Sequence, residues 1–333
     1  MKHIAERVGV SVATVSRVLN GRPDVSKETR ELVLEALRES GVSGGARAVG
    51  RTGTRLVGVT VPVAHYEYYA LIVSGIAEAL YERGLRLVLC PTRYEHLREQ
   101  TLVELLVHDA TDGGVLISPT ESPEELLALR QQGYRFVVVD PAEELSPEIA
   151  TVSTANVSGA KDAVDHLVAL GHRRIGAIAG PRGLASMQDR FVGYCASLAT
   201  AGVLSEPELV RRGNLDVPSG REAALGLLRL QEPPTAIFAF NDNMAIGALR
   251  AARELGLEVP RELSIVGFDA LEGSRLVTPR LTTVRQPLED MGRLAVRVLV
   301  GALEGHRGEA TRIEVATAFV EGESTAPPRA APA

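Results

Sequence analysis

What this 333-residue chain lacks narrows its class before anything it contains. No uninterrupted apolar run approaches the length that crosses a bilayer. The opening stretch Met1-Lys2-His3-Ile4-Ala5-Glu6-Arg7 has no apolar signal core, so secretion is not expected and a cytoplasmic location is. Only two cysteines occur, Cys90 and Cys195, and they read as reduced core thiols rather than a disulfide. The seven histidines (His3, His65, His96, His108, His166, His172, His306) form no i, i+4 pair of the zinc-binding kind, so no metal is expected. The first strand runs into Pro62-Val63-Ala64-His65, not into a glycine-rich phosphate loop. Walker and Gly-x-Ser-x-Gly motifs are absent. A nucleotide-dependent oxidoreductase and a hydrolase each lose their signature, and neither a catalytic residue nor a cofactor is expected.

The charge that is present is unevenly placed. The net charge is −6. Residues 1–55 carry ten Lys/Arg against six Asp/Glu, or +4, and the remainder carries 26 against 36, or −10. A small basic head on an acidic body suits a module that touches phosphates while the rest stays in solvent. Hydrophobic content of 45% and charged content of 23% are those of an ordinary globular chain, and the length suggests two or three compact units.

Residues 2–40 read as three short helices. Ile4, Ala5 and Val8 share a stripe, Gly9-Val10 breaks it, and Ser11 can cap a helix over 12–20. Gly21-Arg22-Pro23-Asp24 is a turn, and Ser26 caps a third helix whose Leu32, Val33, Ala36 and Leu37 share a face. Residues 42–54 hold little bulk and many glycines and read as a linker. From residue 55 onward, β-branched strands alternate with helical patterns. Strands are expected at 56–61, 86–90, 114–117 and 136–140, with helices at 69–83, 97–107 and 123–132 between them. The series repeats with strands at 175–179, 209–212, 236–240 and 264–268 and helices at 160–170, 188–201, 220–230 and 242–255. Such alternation implies α/β architecture: two doubly wound lobes of parallel sheet. A last helix, 288–304, and strand, 311–316, must be shared between them. Lobe 1 is expected at 55–153 plus 281–305, lobe 2 at 154–278 plus 306–323, and 324–333 as a disordered Pro/Ala tail.

A helix, a glycine turn and a second helix form the helix-turn-helix pattern, whose second helix fits the major groove. Val12 and Ala13 can meet thymine methyls, Thr14 and Ser16 can donate to phosphates, and Arg17 can make a bidentate contact to guanine. The plain alternative is a three-helix bundle with a surface arginine.

The run from Ile4 to Gly21, continued by Val25-Ser26-Lys27-Glu28-Thr29-Arg30, resembles the signature of the LacI/GalR family of bacterial repressors. The likeness extends through 166–175, Ala179-Gly180-Pro181, 240–248, 264–269 and 281–286. It implies base contacts by Val12, Ala13 and Arg17, phosphate contacts by Ser11, Thr14 and Ser16, and a homodimer on a near-palindromic operator. Asn20 and Ser26 suit a DNA role or a plain capping role alike. The family's hinge helix with its wedging leucine has no match in Ser43–Gly50, where Arg47 is left as a phosphate contact and Val49 as a weak wedge. Weaker DNA bending is the expectation that follows. The body is expected to be similar to periplasmic sugar-binding proteins. A transport receptor of that kind is the rival reading, and the basic head argues against it.

In open parallel sheets ligands bind beyond the carboxyl ends of strands. Asp140, Asn241 and Asp269 follow strands, and Arg190 opens the helix after the strand 175–179. Carboxylates accept from vicinal hydroxyls and a guanidinium donates, as a sugar requires. Asp269, Arg190, Asn241 and Asp140 match positions at which the family contacts its effector, and Gln286, at a lobe crossover, is a further candidate for ligand binding. Tyr66, Tyr68 and Tyr69 can stack on a sugar face; of these Tyr69 matches a family contact. Leu215 stands where several relatives carry a stacking aromatic. Alternatives remain for two of them, Asp140 as a turn cap before Pro141 and Arg190 as the partner of Asp189, while Asp242 reads as a helix cap rather than a ligand contact. The expected ligand is a mono- or disaccharide, with a nucleobase or nucleoside as the minority reading.

Overall fold

The computed structural model describes residues 5, 7–19, 25–26, 29, 32–33, 36, 54–96, 100, 103, 110–305 and 311–329. The chain divides into two units, 1–53 and 54–333.

In the first unit, α1 (Val12–Leu19) begins where Ser11 stops the preceding turn. The Ser11 hydroxyl accepts from the Thr14 backbone N–H at 3.0 Å, which makes it the cap that the sequence suggests. Gly9 has φ +72, the left-handed conformation that lets the chain reverse before α1. Val15 and Val18, three residues apart on one face, are buried with Ala5, Val33 and Ala36. Ser26 accepts from the Thr29 N–H at 3.2 Å in the same capping geometry.

The second unit is built on two parallel sheets. The larger has the order β11 (Arg312–Val315), β5 (Ala150–Thr154), β4 (Phe136–Val139), β3 (Gly113–Ile117), β1 (Leu56–Val61) and β2 (Arg86–Pro91). The smaller has the order β7 (Val210–Arg212), β6 (Ile175–Ala179), β8 (Ala236–Ala239) and β9 (Ser264–Val266). Every pairing within these two sheets is parallel. Around the smaller sheet stand α4 (Asn156–Ala169), α5 (Ala185–Thr200), α6 (Val217–Leu228) and α7 (Asp242–Glu254). The larger carries α2 (Glu67–Glu82), α3 (Pro123–Gln131) and α9 (Leu288–Leu303). A short α8 (Glu272–Leu276), β10 (Thr283–Arg285) and β12 (Ala318–Val320) lie where the chain passes between the halves; β10 and β12 pair antiparallel.

Strands such as Phe136–Val139, buried at all four positions, read as unbroken apolar runs because helices cover both faces. On α9, Leu288, Met291, Ala295, Val296 and Leu299 are buried at helical spacing. They join Val57, Val59, Ile72 and Ile76 in one cluster, each large side chain contributing roughly 1.5–3 kcal/mol by burial. The two helices α2 and α9 touch backbone to backbone. A Cβ on Gly75 would sit 2.0 Å from Glu289 O, and one on Gly292 2.3 Å from Ile72 O, so only glycine admits the approach.

Three sequence expectations need correction. Strand β5 was not anticipated; its Ala-Thr-Val-Ser-Thr composition hides it, although three of its five residues are buried. Strand β11 pairs with β5 and so completes the larger sheet, whereas 306–323 was assigned to lobe 2; only β12 runs beside the smaller half. The expected helix over 97–107 falls mostly outside the described residues. Residues 324–329, expected to be disordered, form an ordered strap. Ser324 is fully buried; its hydroxyl donates to Ile265 O at 2.5 Å and accepts from Thr282 N at 2.8 Å, while Ile265 N donates to Ser324 O. His172 Nε2 lies 2.9 Å from Ala326 O, which can only accept, so the proton is on Nε2 and Nδ1 accepts from the Thr235 hydroxyl at 2.8 Å.

Candidate functional site

The carboxyl ends of β1, β3, β4, β6, β8 and β9 deliver polar side chains to one cavity. Its lining includes Tyr66, Tyr68, Tyr69, Ser118, Asp140, Arg190, Leu215, Asn241 and Asp269. Tyr69, Asp140, Arg190, Asn241 and Asp269, drawn from sequence positions 200 residues apart at the extremes, thus come together. Gln286 does not line this cavity. It stands behind Asp269, donating from Nε2 to Asp269 Oδ1 at 2.7 Å, and its Oε1 has no partner among the described residues.

Arg190 is the centre of the network. It lies in the second turn of α5, not at its start, because the helix begins at Ala185. It is 2% exposed. Nε donates to Asn156 Oδ1 at 2.8 Å, and Nη1 donates to Phe240 O and to Asp269 Oδ1, the latter at 3.4 Å. Its guanidinium carbon rests 3.7 Å from the centre of the Phe268 ring, a cation–π arrangement. The pairing with neighbouring Asp189, left open by the sequence, is not the one adopted. Asn156 was missed: it opens a helix and carries no motif of its own.

Asn241, not Asp242, caps α7, accepting from Met244 N at 2.9 Å. Its Nδ2 donates to the Tyr66 hydroxyl and to Leu215 O, each at 3.0 Å. Tyr68 donates to Asp140 Oδ2 at 3.0 Å, and the Tyr69 and Tyr94 hydroxyls lie 2.9 Å apart. The rings of Tyr66, Tyr68 and Tyr69 pack on one another at 5.2–6.3 Å between centres. Two further ties span the cavity's rim: Ala185 N donates to Ala142 O at 2.8 Å, and Glu272 N donates to Glu67 Oε1 at 2.7 Å.

Charge in the cavity is unbalanced toward the negative. Asp140 and Asp269 face a single guanidinium, with Asp242 behind them. Burial raises all three carboxyls above the usual range, Arg190 opposing the rise, and Asp269 is pushed up to about 6. Burial also raises the three tyrosines. Perturbed ionisable groups of this density mark functional sites. Backbone strain marks the same place. Eight non-glycine residues among those described have positive φ, and four of them, Ser118, Asp140, Leu215 and Asp269, line this cavity.

The cavity is narrow, about 40 Å³. A wider one, about 520 Å³, opens on the far side of Asp269 beside Arg275, Arg280 and Arg285. These arginines are exposed. The first cavity is the better candidate because buried, hydrogen-bonded polar groups converge there. Among the described residues no cluster of His, Cys, Asp and Glu could hold a metal, and no helix is long and apolar enough to cross a membrane.

On the first unit, Ser11 and Val12 are exposed and Thr14 is half-buried on the opening turn of α1. Ala13, Ser16 and Arg17 lie on the same helix, but their side chains, like Asn20 and Arg47 entirely, fall outside the described residues.

Comparison with known proteins gives a consistent picture. The profile described as bacterial regulatory proteins, lacI family, matches residues 1–42, and that of a periplasmic binding protein-like domain matches 164–325. The chain is 34% identical to the HTH-type transcriptional repressor CytR of Escherichia coli strain K12 over 98% of its own length and 97% of the relative's. It is 33% identical to the HTH-type transcriptional repressor PurR of Proteus mirabilis strain HI4320, over 98% and 96%. Its fold matches the transcriptional regulator CelR–cellobiose complex with a TM-score of 0.77 and 33% identity, covering 96% of this chain and 98% of the other. A regulator from Mycobacterium smegmatis matches at 0.72 with 30% identity, over 82% and 100%.

Proposed function

The chain belongs to the LacI family of bacterial regulatory proteins, a DNA-binding transcriptional regulator rather than an enzyme, and we propose that it is a repressor whose operator affinity is set by a neutral, hydroxyl-rich effector in the cavity around Arg190. The observation that carries this reading is the convergence of Arg190, Asp269, Asn241 and Asp140 on one strained, buried site below three tyrosine rings. Carboxylates would accept hydroxyl protons, Arg190 would donate to ring oxygens, and the tyrosine faces would cover the apolar C–H face. An effector carrying a phosphate would bring negative charge against two carboxylates whose one cation is already engaged, so an uncharged mono- or disaccharide fits best. Genes of sugar utilisation are the corresponding targets.

Ligand sites for small molecules usually exceed about 300 Å³. Entry therefore requires the halves to part and the ties Asn241–Tyr66, Ala185–Ala142 and Glu272–Glu67 to break. That movement would change the separation of the two heads in a homodimer, whose recognition helices (Val12, Ala13 and Arg17 toward bases; Ser11, Thr14 and Ser16 toward phosphates; Asn20 and Arg47 flanking) would occupy successive major grooves of a near-palindromic operator. Coupling of about 1–3 kcal/mol suffices for such a switch. The three stacked tyrosines equally suit a nucleobase, which keeps a nucleoside effector as the second reading. A thermal-shift panel of neutral sugars, sugar phosphates and nucleosides tests the site: neutral members should stabilise the protein, and stabilisation by sugar phosphates alone would overturn the assignment.

A further inference from the structure

Asp242 follows Asn241 at the start of α7 but turns away from the cavity into the protein and is 1% exposed. Its Oδ2 accepts from the Leu271 backbone N–H at 2.8 Å, and its Oδ1 accepts from the Thr283 hydroxyl at 2.6 Å. These donors belong to segments that link the two halves. The Leu271 side chain is buried in the apolar cluster of the larger sheet, and Thr283 opens β10, which leads through Gln286 into α9. Between β9 and Leu271 stand Asp269 and Ala270, with φ of 119° and 57°, a backbone form that persists only where its surroundings impose it. Gly267 supplies an independent sign: a Cβ there would lie 2.3 Å from Asp242 Oδ1, so the chain leaves room for this carboxylate.

We propose that Asp242 is a positioning residue that pins the strained Asp269 turn to the crossover strand β10, and thereby sets Asp269 against Arg190. Its consequence for effector recognition rests on the cavity assignment above; the pin itself does not. A carboxylate buried without a cation partner is costly unless hydrogen bonds compensate. Here the compensating donors are the backbone of the turn and the hydroxyl of the crossover, so the same bonds that satisfy Asp242 hold both segments.

The test is amide hydrogen exchange of the full-length protein and its variants, resolved over residues 267–273. In Asp242→Ala, exchange at Leu271 should rise about tenfold or more, the loss expected when a buried donor is left without its acceptor, while β8 keeps its protection. In Asp242→Asn the amide still accepts from Leu271 N and can donate to the Thr283 oxygen, so protection should return to near the parent value. Gly267→Ala, which crowds Oδ1, should reproduce the Ala pattern even if Asp242→Ala fails to fold. Unchanged exchange at Leu271 in Asp242→Ala or Gly267→Ala overturns the proposal, as does an equal rise across β8 or a failure of Asn to rescue. A second arm uses D-ribose, cellobiose and adenosine as thermal-shift probes. Any that stabilises the parent should lose its effect in Asp242→Ala and keep it in Asp242→Asn. If none stabilises the parent, the effector assignment is weakened, while the exchange arm still decides the pin.

Discussion

Arg190 and Asp269 meet at 3.4 Å with side chains only 3% exposed, the guanidinium also lying on the face of Phe268. Removing one partner of a buried pair leaves the other uncompensated, at a cost of about 3–5 kcal/mol. In Asp269→Ala, Asn156 and Phe240 still accept from Arg190, so the lower end of that range is expected. The variant should bind its operator like the parent and show no response to effector. A response at unchanged effector concentration would remove Asp269 from the site.

The same carboxyl gives a pH signature. Burial pushes Asp269 up to about 6, from an ordinary value of 3.8. At this carboxyl the folded state therefore holds more protons than the unfolded state between those values, so the contribution of Asp269 to stability falls as pH rises from about 4 to about 6 and is constant above. The span is worth roughly 3 kcal/mol by linkage. Asp140 and Asp242 are raised in the same direction, so the parent slope contains them too. Urea unfolding at pH 4.5, 6 and 7.5 should show a shallower fall in Asp269→Asn than in the parent. Equal slopes would rule out the raised value.

The terminal strap should carry stability. Deleting 324–333 removes the Ser324 and Ala326 bonds to β9 and leaves His172 without one partner. Buried groups left unpaired cost about 1–3 kcal/mol each, so a fall in melting temperature of several degrees is expected. Burial also lowers His172 below its ordinary value, so the folded state binds fewer protons there, and this group's own contribution, opposite in sign to that of Asp269, weakens as pH falls below about 6.5. A truncated protein that melts like the parent would show the strap to be dispensable.

Arg17 is the proposed guanine contact of α1. Arg17→Ala should lose about 1–3 kcal/mol of operator binding and relax preference at one base pair per half-site. Competitive gel shifts with all four bases at that pair provide the measurement. Undiminished discrimination would assign Arg17 a different role.

Much of this was legible in the residues. The head was readable because Gly9, Ser11 and the Val15/Val18 face fix a local pattern within one short segment. The strand–helix alternation gave both sheets, and the rule that strand ends carry ligands singled out Asp140, Asn241 and Asp269. What escaped depended on distance. Asn241 lines the cavity as expected but also takes the capping role given to Asp242, since both can cap and only the remote donors Leu271 and Thr283 draw Asp242 elsewhere. Gln286 was placed in the cavity, but Asp269 intervenes. Asn156 and the strap have no local signature: one is defined by Arg190 on another helix, the other by an open edge of β9. Composition read Pro327-Pro328 as disorder, whereas Pro328 lies against Gly171.

Regulation of the proposed kind requires a basic head that reads duplex DNA under the control of the body. Selection of duplexes from a random-sequence pool by the full-length protein, repeated with the neutral-sugar and nucleoside panel, measures this most directly. A near-palindromic sequence should be enriched, with one class of uncharged compound altering its recovery. Recovery of no preferred duplex under any of these conditions would contradict it.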